Sequence, residues 1–253
     1  GEEPILFIAT RNEIIGTQVQ KNYYDHSATT HTILPELQGI KIGGMDVYQG
    51  NNEVMVFVTN HEKNQSSIFS FKHKTNKTPS GRWRRDIGDS DVQKLNVSNV
   101  EFSQPVDIAV DWVSKRLYWT DAGSRRIMSS NFDGSQPLTI AKVNLHKPEA
   151  IVVDPESRYV FWSDWGIGAK IERANLDGSD RQTLVSERIE WPRGLAMDYQ
   201  NRRLYWADAR RKTIESITLD GRNRHVVYQF PSGNATTDSE APYKIDVFEN
   251  LLY

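Results

Sequence analysis

The 253 residues include no cysteine. Without thiols there is no disulfide framework, no thiolate nucleophile and no thiolate metal site, which removes the small cysteine-rich modules. A chain of this length still buries enough apolar surface to fold without staples, so secretion stays open. An excess of charge of one sign is also absent: 31 basic residues face 33 acidic ones, for a formal net charge of −2. Nucleic-acid binders usually show a basic excess, so that class is set aside. No window approaches the run of roughly eighteen apolar residues that a membrane-spanning helix needs. The opening Gly1-Glu2-Glu3-Pro4 lacks a signal-peptide pattern and reads as the start of a mature or excised segment. The six histidines, His26, His31, His61, His73, His146 and His225, are scattered and show no H-x-x-x-H spacing.

What the sequence does contain is a repeat. Tyr118-Trp119-Thr120-Asp121 returns as Phe161-Trp162-Ser163-Asp164 after 43 residues and as Tyr205-Trp206-Ala207-Asp208 after 44 more. Phe57-Val58-Thr59-Asn60 is a degenerate upstream copy. A proline stands 13 residues before each clear aromatic (Pro105, Pro148, Pro192), followed by an apolar run ending in Asp111, Asp154 or Asp198. After the motif come a loop, a strand-like run and the dipeptides Asp133-Gly134, Asp177-Gly178 and Asp220-Gly221. Asp-Gly between strand-like runs predicts a hairpin whose two turn residues both tolerate positive φ.

Each unit therefore predicts four short antiparallel strands in forty-odd residues, the size of a propeller blade. The nearly continuous apolar run is the strand closest to the axis. The motif strand alternates, with Leu117 and Trp119 on one face and Tyr118 and Thr120 on the other. The fold class is all-β.

These motifs, with the preceding Pro-x-x-Ile-Ala-Val-Asp strand and the following Leu176-Asp177-Gly178-Ser179 turn, resemble the six-bladed YWTD β-propellers of the low-density lipoprotein (LDL) receptor family. The resemblance is most specific from Pro105 to Tyr228. It implies one propeller over residues 1–253, in which the N-terminal segment supplies a motif strand and two outer strands. The chain stops at Tyr253, 48 residues after Tyr205, on the first aromatic of a sixth motif. Roughly forty residues of the last blade and the closing strand are then expected in the biological protein but not in this chain. Residues 62–95 read as an extended loop or hairpin insertion, because 61 residues separate Phe57 from Tyr118. Within them Arg82-Trp83-Arg84-Arg85 reads either as an acidic-partner site or as a solvated loop.

The resemblance further implies a non-enzymatic extracellular module of a single-pass receptor, on the cell surface or the endosomal lumen side. Protein ligands and flanking EGF-like or class A modules are its partners. No cofactor is expected in this segment, with calcium in neighbouring modules. A matrix adhesion propeller of nidogen type, a Wnt co-receptor-like signalling module and, from another class, a metal-dependent propeller hydrolase are the alternatives. Sequons at Asn64, Asn76, Asn96 and Asn234 mark glycosylation candidates if the chain is secreted.

In a propeller the loops after the motif and the inter-blade loops share one face. On it fall Trp165 and Trp191, outside the repeated motif, together with Arg125, Arg126, Arg193, Arg210 and Arg211. Trp and Arg are common interface anchors. Packing against a neighbouring blade or module explains the tryptophans equally well, and plain solvation explains the arginines. Trp191-Pro192-Arg193-Gly194 resembles the W-P-N-G pocket motif of the family with Arg in the Asn position, so a site that needs that amide does not transfer directly. His146, just before a blade-entry proline, is a pH-sensing candidate or an ordinary loop histidine. Asp121, Asp164 and Asp208 are expected to accept backbone N–H bonds, and Asp111, Asp154 and Asp198 to cap turns.

Overall fold

The computed structural model describes residues 5–9, 14–18, 31–32, 40–50, 53–62, 65–74, 92–231, 242, 244–248 and 251–252, with side chains described at 40–50, 54–62, 65–72, 92–231, 242 and 244–246. Asn64, Asn76, Asn234 and the Arg82–Arg85 cluster lie outside the described residues; Asn96 is exposed.

The described strands form antiparallel sheets in chain order. The first holds β1 (Ile5–Ala9), β2 (Ile14–Gln18) and β3 (His31–Thr32). Four complete blades follow: β4 (Ile42–Gln49), β5 (Glu53–Asn60), β6 (Ser67–Lys74) and β7 (Gln93–Lys94); β8 (Pro105–Asp111), β9 (Arg116–Asp121), β10 (Arg126–Asn131) and β11 (Leu138–Ala141); β12 (Pro148–Asp154), β13 (Tyr159–Asp164), β14 (Lys170–Asn175) and β15 (Gln182–Val185); β16 (Pro192–Asp198), β17 (Arg203–Asp208), β18 (Thr213–Thr218) and β19 (His225–Gln229). Last come β20 (Val247–Phe248) and β21 (Leu251–Leu252). The first strands touch in succession, β4 to β8, β8 to β12, β12 to β16 and β16 to β20, so they line a common axis. The all-β propeller expected from the repeat is what the chain forms. Residues 62–95 are not all insertion: Ser67–Lys74 and Gln93–Lys94 are the third and fourth strands of their blade.

The period of two explains the core. Tyr118 joins a cluster with Ile151, Val160 and Trp162 of the next blade, whereas Trp119 packs with Phe57 and Ile68 of the preceding one. Phe161 and Trp206 meet in the same way. Each closed seam thus pairs the first aromatic of one motif with the tryptophan of the next. Trp119, Trp162 and Trp206 are completely buried.

The expected hairpins form at the Asp-Gly turns, with a different conformation at the aspartate. Of the two dipeptide residues only the glycine takes positive φ, 84°, 88° and 83° at Gly134, Gly178 and Gly221, while Gln136, Asp180 and Asn223 two residues on take 49°, 49° and 50°. The aspartates instead accept N–H bonds two residues on, from Ser135, Ser179 and Arg222. The Ser135, Ser179 and Thr218 hydroxyls, and to a lesser degree those N–H bonds, pull the carboxyls of Asp133, Asp177 and Asp220 below the usual range.

Candidate functional site

The upper face, which carries the inter-blade loops, is positioned by the last residue of each motif. Asp121 accepts N–H bonds from Ser103 and Gln104, Asp164 from His146 and Lys147, and Asp208 from Glu190 and Trp191. Asn60 does the same for Lys41 in the degenerate copy. The expected capping role is therefore a fastening of each entry loop to its own blade. Burial pushes the Asp164 carboxyl up, against the pull of the His146 and Lys147 N–H groups. At the lower end Asp111, Asp154 and Asp198 cap the turns after the first strands, as expected.

The next residue is fixed just as regularly. The N–H of His61, Ala122, Trp165 and Ala209 donates to Lys41, Gln104, Lys147 and Trp191 carbonyls at 2.9–3.1 Å. These four positions are equivalent, so the blades present His, Ala, Trp and Ala at one level around the axis.

A second ring arises from bulges. Pairing of each first strand with its motif strand shifts register between Ile42 and Met45, Pro105 and Ile108, Pro148 and Ile151, and Pro192 and Gly194. A bulge re-aims the residues inside it. Here these include Gly43, Val106, Glu149 and Arg193, at equivalent places in successive blades. Glu149 and Arg193 meet across a blade seam at 3.0 Å, and Glu149 also accepts the Trp165 indole N–H at 2.9 Å.

Together these rings enclose a cavity of ≈390 Å³ lined by Gly43, His61, Val106, Asp107, Arg125, His146, Lys147, Glu149, Trp165, Arg193 and Lys244, among others. Trp165 carries two cations at its ring, Lys147 Nζ at 4.1 Å and the Arg193 guanidinium at 4.2 Å from the ring centre. Trp191 stands edge-on to Trp165 at 5.9 Å, with Arg210 5.3 Å from its ring. Such cation–π contacts each contribute on the order of 1 kcal/mol at partly exposed sites. Gly166 follows at φ 100°, and a Cβ there would come within 2.3 Å of His146 Nδ1, so glycine is what lets that ring lie against the loop. Burial and nearby Lys41 hold the His61 imidazole below its ordinary value.

The expected partner-binding residues are thus partly gathered. Trp165, Trp191, Arg193 and Arg210 form one contiguous cluster. The tryptophans are half-buried and held by cations rather than freely exposed. Arg193 is an ion-paired, stacked element of the cavity wall. Arg125 lines the cavity and Arg126 lies beside it in the chain; both are exposed. Arg211 turns away to Glu215 at 3.6 Å. His146 lines the cavity, with Nδ1 3.3 Å from the Trp165 carbonyl. His61, Asp107, Glu149 and Lys244 escaped the sequence reading. Aligning the first strands blade by blade exposes Glu149 and Arg193 as opposite charges in one column.

A second cavity of ≈410 Å³ opens toward the lower end, lined by Asp46, Asp107, Val110, Val153, Met197, Tyr199, Lys244 and Asp246, among others. Among the described residues no group of three or more His, Cys, Asp or Glu is arranged to hold a metal ion.

Residues 115–155 and 158–199 match the family described as low-density lipoprotein receptor repeat class B. The chain is 31% identical over 136 residues to low-density lipoprotein receptor-related protein 8 of Gallus gallus, covering 54% of this chain and 12% of that protein's length. In three dimensions it is similar to a chain in a crystal structure of a nidogen/laminin complex, with a TM-score of 0.76, 21% identity, and coverage of 98% of this chain and 84% of that one. A protein of unknown function from Bacteroides thetaiotaomicron aligns with a TM-score of 0.62 and 14% identity, covering 98% of this chain and 62% of that one. At those identities the two solved structures speak for the fold alone.

Proposed function

We propose, for a chain that is a YWTD β-propeller of the LDL-receptor family, that it is a non-enzymatic extracellular module which binds a protein ligand on its upper face for a receptor-related cell-surface protein. One observation carries the reading: Trp165 and Trp191, outside the repeated core, are held edge-to-face and clasped by Lys147, Arg193 and Arg210 at the mouth of the cavity. Aromatic anchors fixed before the partner arrives lose little entropy on binding, and such groups dominate interface energetics. Trp191 sits in an entry loop fastened by Asp208, and Trp165, just after Asp164, is tied by its N–H to the Lys147 carbonyl of another such loop, which gives the face a rigid footing. The class B repeats and the receptor-related relative favour a receptor over a nidogen-type matrix module. Flanking sequence with a transmembrane helix and endocytic tail distinguishes the two.

The test uses the chain as an immobilised bait for extracellular proteins from conditioned medium, with any captured partner then titrated in purified form. Trp165→Ala and Trp191→Ala should each weaken that partner by ~2 kcal/mol or more, with the thermal melt little changed. Unchanged affinity in both variants sinks this face as the binding site. The same titration at neutral and endosomal pH, repeated on His146→Ala, tests His146: an identical pH dependence in the variant removes it from any pH-sensing role.

A further inference from the structure

Among the asparagines whose side chains the structure describes, every one but Asn96 has a local task. Asn60, Asn131, Asn175 and Asn201 each donate through Nδ2, to the Gln65 carbonyl, the Ser135 and Ser179 hydroxyls and the Asp198 carboxylate, at 2.8–2.9 Å. Asn99, Asn144 and Asn223 hold turns at φ 58°, 55° and 50°, a region that asparagine enters more readily than most residues. Asn96 does neither. Its φ is not positive, and among the described residues no hydrogen bond holds its amide. It opens Asn96-Val97-Ser98, the one sequon that lies wholly among the described residues.

The local backbone explains why this side chain points out. Leu95 and Val97 are buried in the cluster that holds Phe57 and Trp119, whereas Asn96 and Ser98, which alternate with them, are exposed. The segment is pinned on both sides: the Leu95 N–H donates to the Ile68 carbonyl at 2.8 Å, and the Val100 N–H to the Val97 carbonyl at 3.1 Å. The neighbouring blade abuts the backbone of Asn96 and leaves its side chain clear. A Cβ on Gly134 would come within 2.2 Å of the Asn96 carbonyl oxygen. The turn that holds Gly134 joins β10 to β11, the third and fourth strands of that blade, so it lies at the end opposite the entry loops.

We propose that Asn96 carries an N-linked oligosaccharide, which stands on the outer wall at the seam between the β4–β7 and β8–β11 blades, away from the upper face. The donor is a lipid-diphosphate-linked oligosaccharide of the secretory pathway. Nδ2 bonds to C1 of the first N-acetylglucosamine, the bond from C1 to the diphosphate oxygen breaks, Nδ2 gives up one proton and the lipid diphosphate leaves. Ser98 supplies the hydroxyl that the acceptor motif requires. At the other described asparagines the same linkage would crowd a bonded amide or a tight turn; at Asn96 it displaces nothing. The inference rests on the extracellular reading above and is independent of the upper-face binding site.

The test expresses the chain behind a secretion leader in mammalian cells and maps glycopeptides from the medium and from the cells by mass spectrometry. Asn96 should be occupied in the secreted protein. Asn96→Gln and Ser98→Ala should each remove that glycan and Ser98→Thr should keep it, with thermal melts to check that all three fold. An endoglycosidase should release the glycan from the native protein, and Asn96→Gln should leave the affinity of a captured upper-face partner unchanged. A bare Asn96 in a secreted chain that is occupied at Asn64, Asn76 or Asn234 overturns the inference and leaves the extracellular reading standing. Occupancy confined to the cell-retained pool also overturns it, because the fold then rejects the glycan. Release only after denaturation, or a loss of partner affinity in Asn96→Gln, overturns the outward placement. No glycan at any of the four sequons overturns the inference and counts against the extracellular reading as well.

Discussion

The two ends of the axial channel are made by the same first strands and differ in almost every chemical respect. At the upper end the strands are bulged, and the residues in and around the bulges give Glu149 and Arg193 to the wall. At the lower end the strands run in regular register, so the period of two puts Val110, Val153 and Met197 on it. The upper cavity adds tryptophan and excess cation. The lower one has Asp46, Asp107 and Asp246 against Lys244, with Trp112 and Tyr199 edge-to-face at 5.2 Å and 42% exposed at that end. The Lys244–Asp107 ion pair is common to both cavities. The repeat therefore fixes where side chains are delivered, and departures from the repeat fix what they can bind. His61 and Trp165 occupy a level where the other complete blades have alanine.

The largest expected effect abolishes the comparison by removing the frame that both ends share. Trp162 is fully buried between Tyr118 and Ile151 of the seam, with its indole N–H on Glu172 at 3.2 Å. Trp162→Ala should cost ~3–5 kcal/mol, since the lost ring leaves a cavity that the rigid sheets cannot collapse into. Urea unfolding measures it. A loss under about 1 kcal/mol would mean that the seam is packed some other way.

The frame was legible in the sequence because it is carried by strict spacing: an aromatic pair in a period of two reads directly as two faces. The turn chemistry was read less well. Asp133, Asp177 and Asp220 act through their carboxylates rather than by taking positive φ, and dipeptide identity does not distinguish the two. Trp165, Trp191 and Arg193 could be singled out because they break the repeat. Glu149 shares a column with Arg193 once the first strands are aligned, but that the two meet at 3.0 Å depends on the bulges, which a single strand's composition does not encode. His61 and Asp46 were hidden for a related reason. They lie in the degenerate blade, where the motif that would have aligned them is weakest.

A smaller effect should break the upper end alone. Asp208 accepts the N–H groups of Glu190, Trp191, Arg210 and Arg211, four donors from the two loops that hold Trp191 and Arg210. In Asp208→Ala these donors lose their acceptor at a completely buried position. A destabilisation of ~2–3 kcal/mol is expected, the cost of donors left unsatisfied. Hydrogen exchange should accelerate at residues 190–191 and 210–211 while the lower turns keep their protection. Uniform acceleration over the blade, or none, would refute the fastening role.

The last effect concerns the lower end. Asp46 accepts the N–H of Val110 in the neighbouring blade and of Val47 in its own, each at 2.7 Å. Burial nevertheless pushes its carboxyl up to about 7 from the ordinary 3.8, partly offset by those two bonds. Because the folded value is the higher one, the folded state keeps a proton that the unfolded chain has already released between the two values. Stability from this group is full below about pH 4 and is lost as the pH rises through about 7. Asp46→Asn keeps one acceptor for the seam and removes the titration. The melting temperature of the wild type should therefore drop more than that of the variant between about pH 5 and pH 8, while partner binding at the upper end stays unchanged. Parallel pH profiles for the two proteins would show that the Asp46 carboxyl is solvated well enough to ionise, and the lower cavity would then be an open acidic mouth rather than a shielded one.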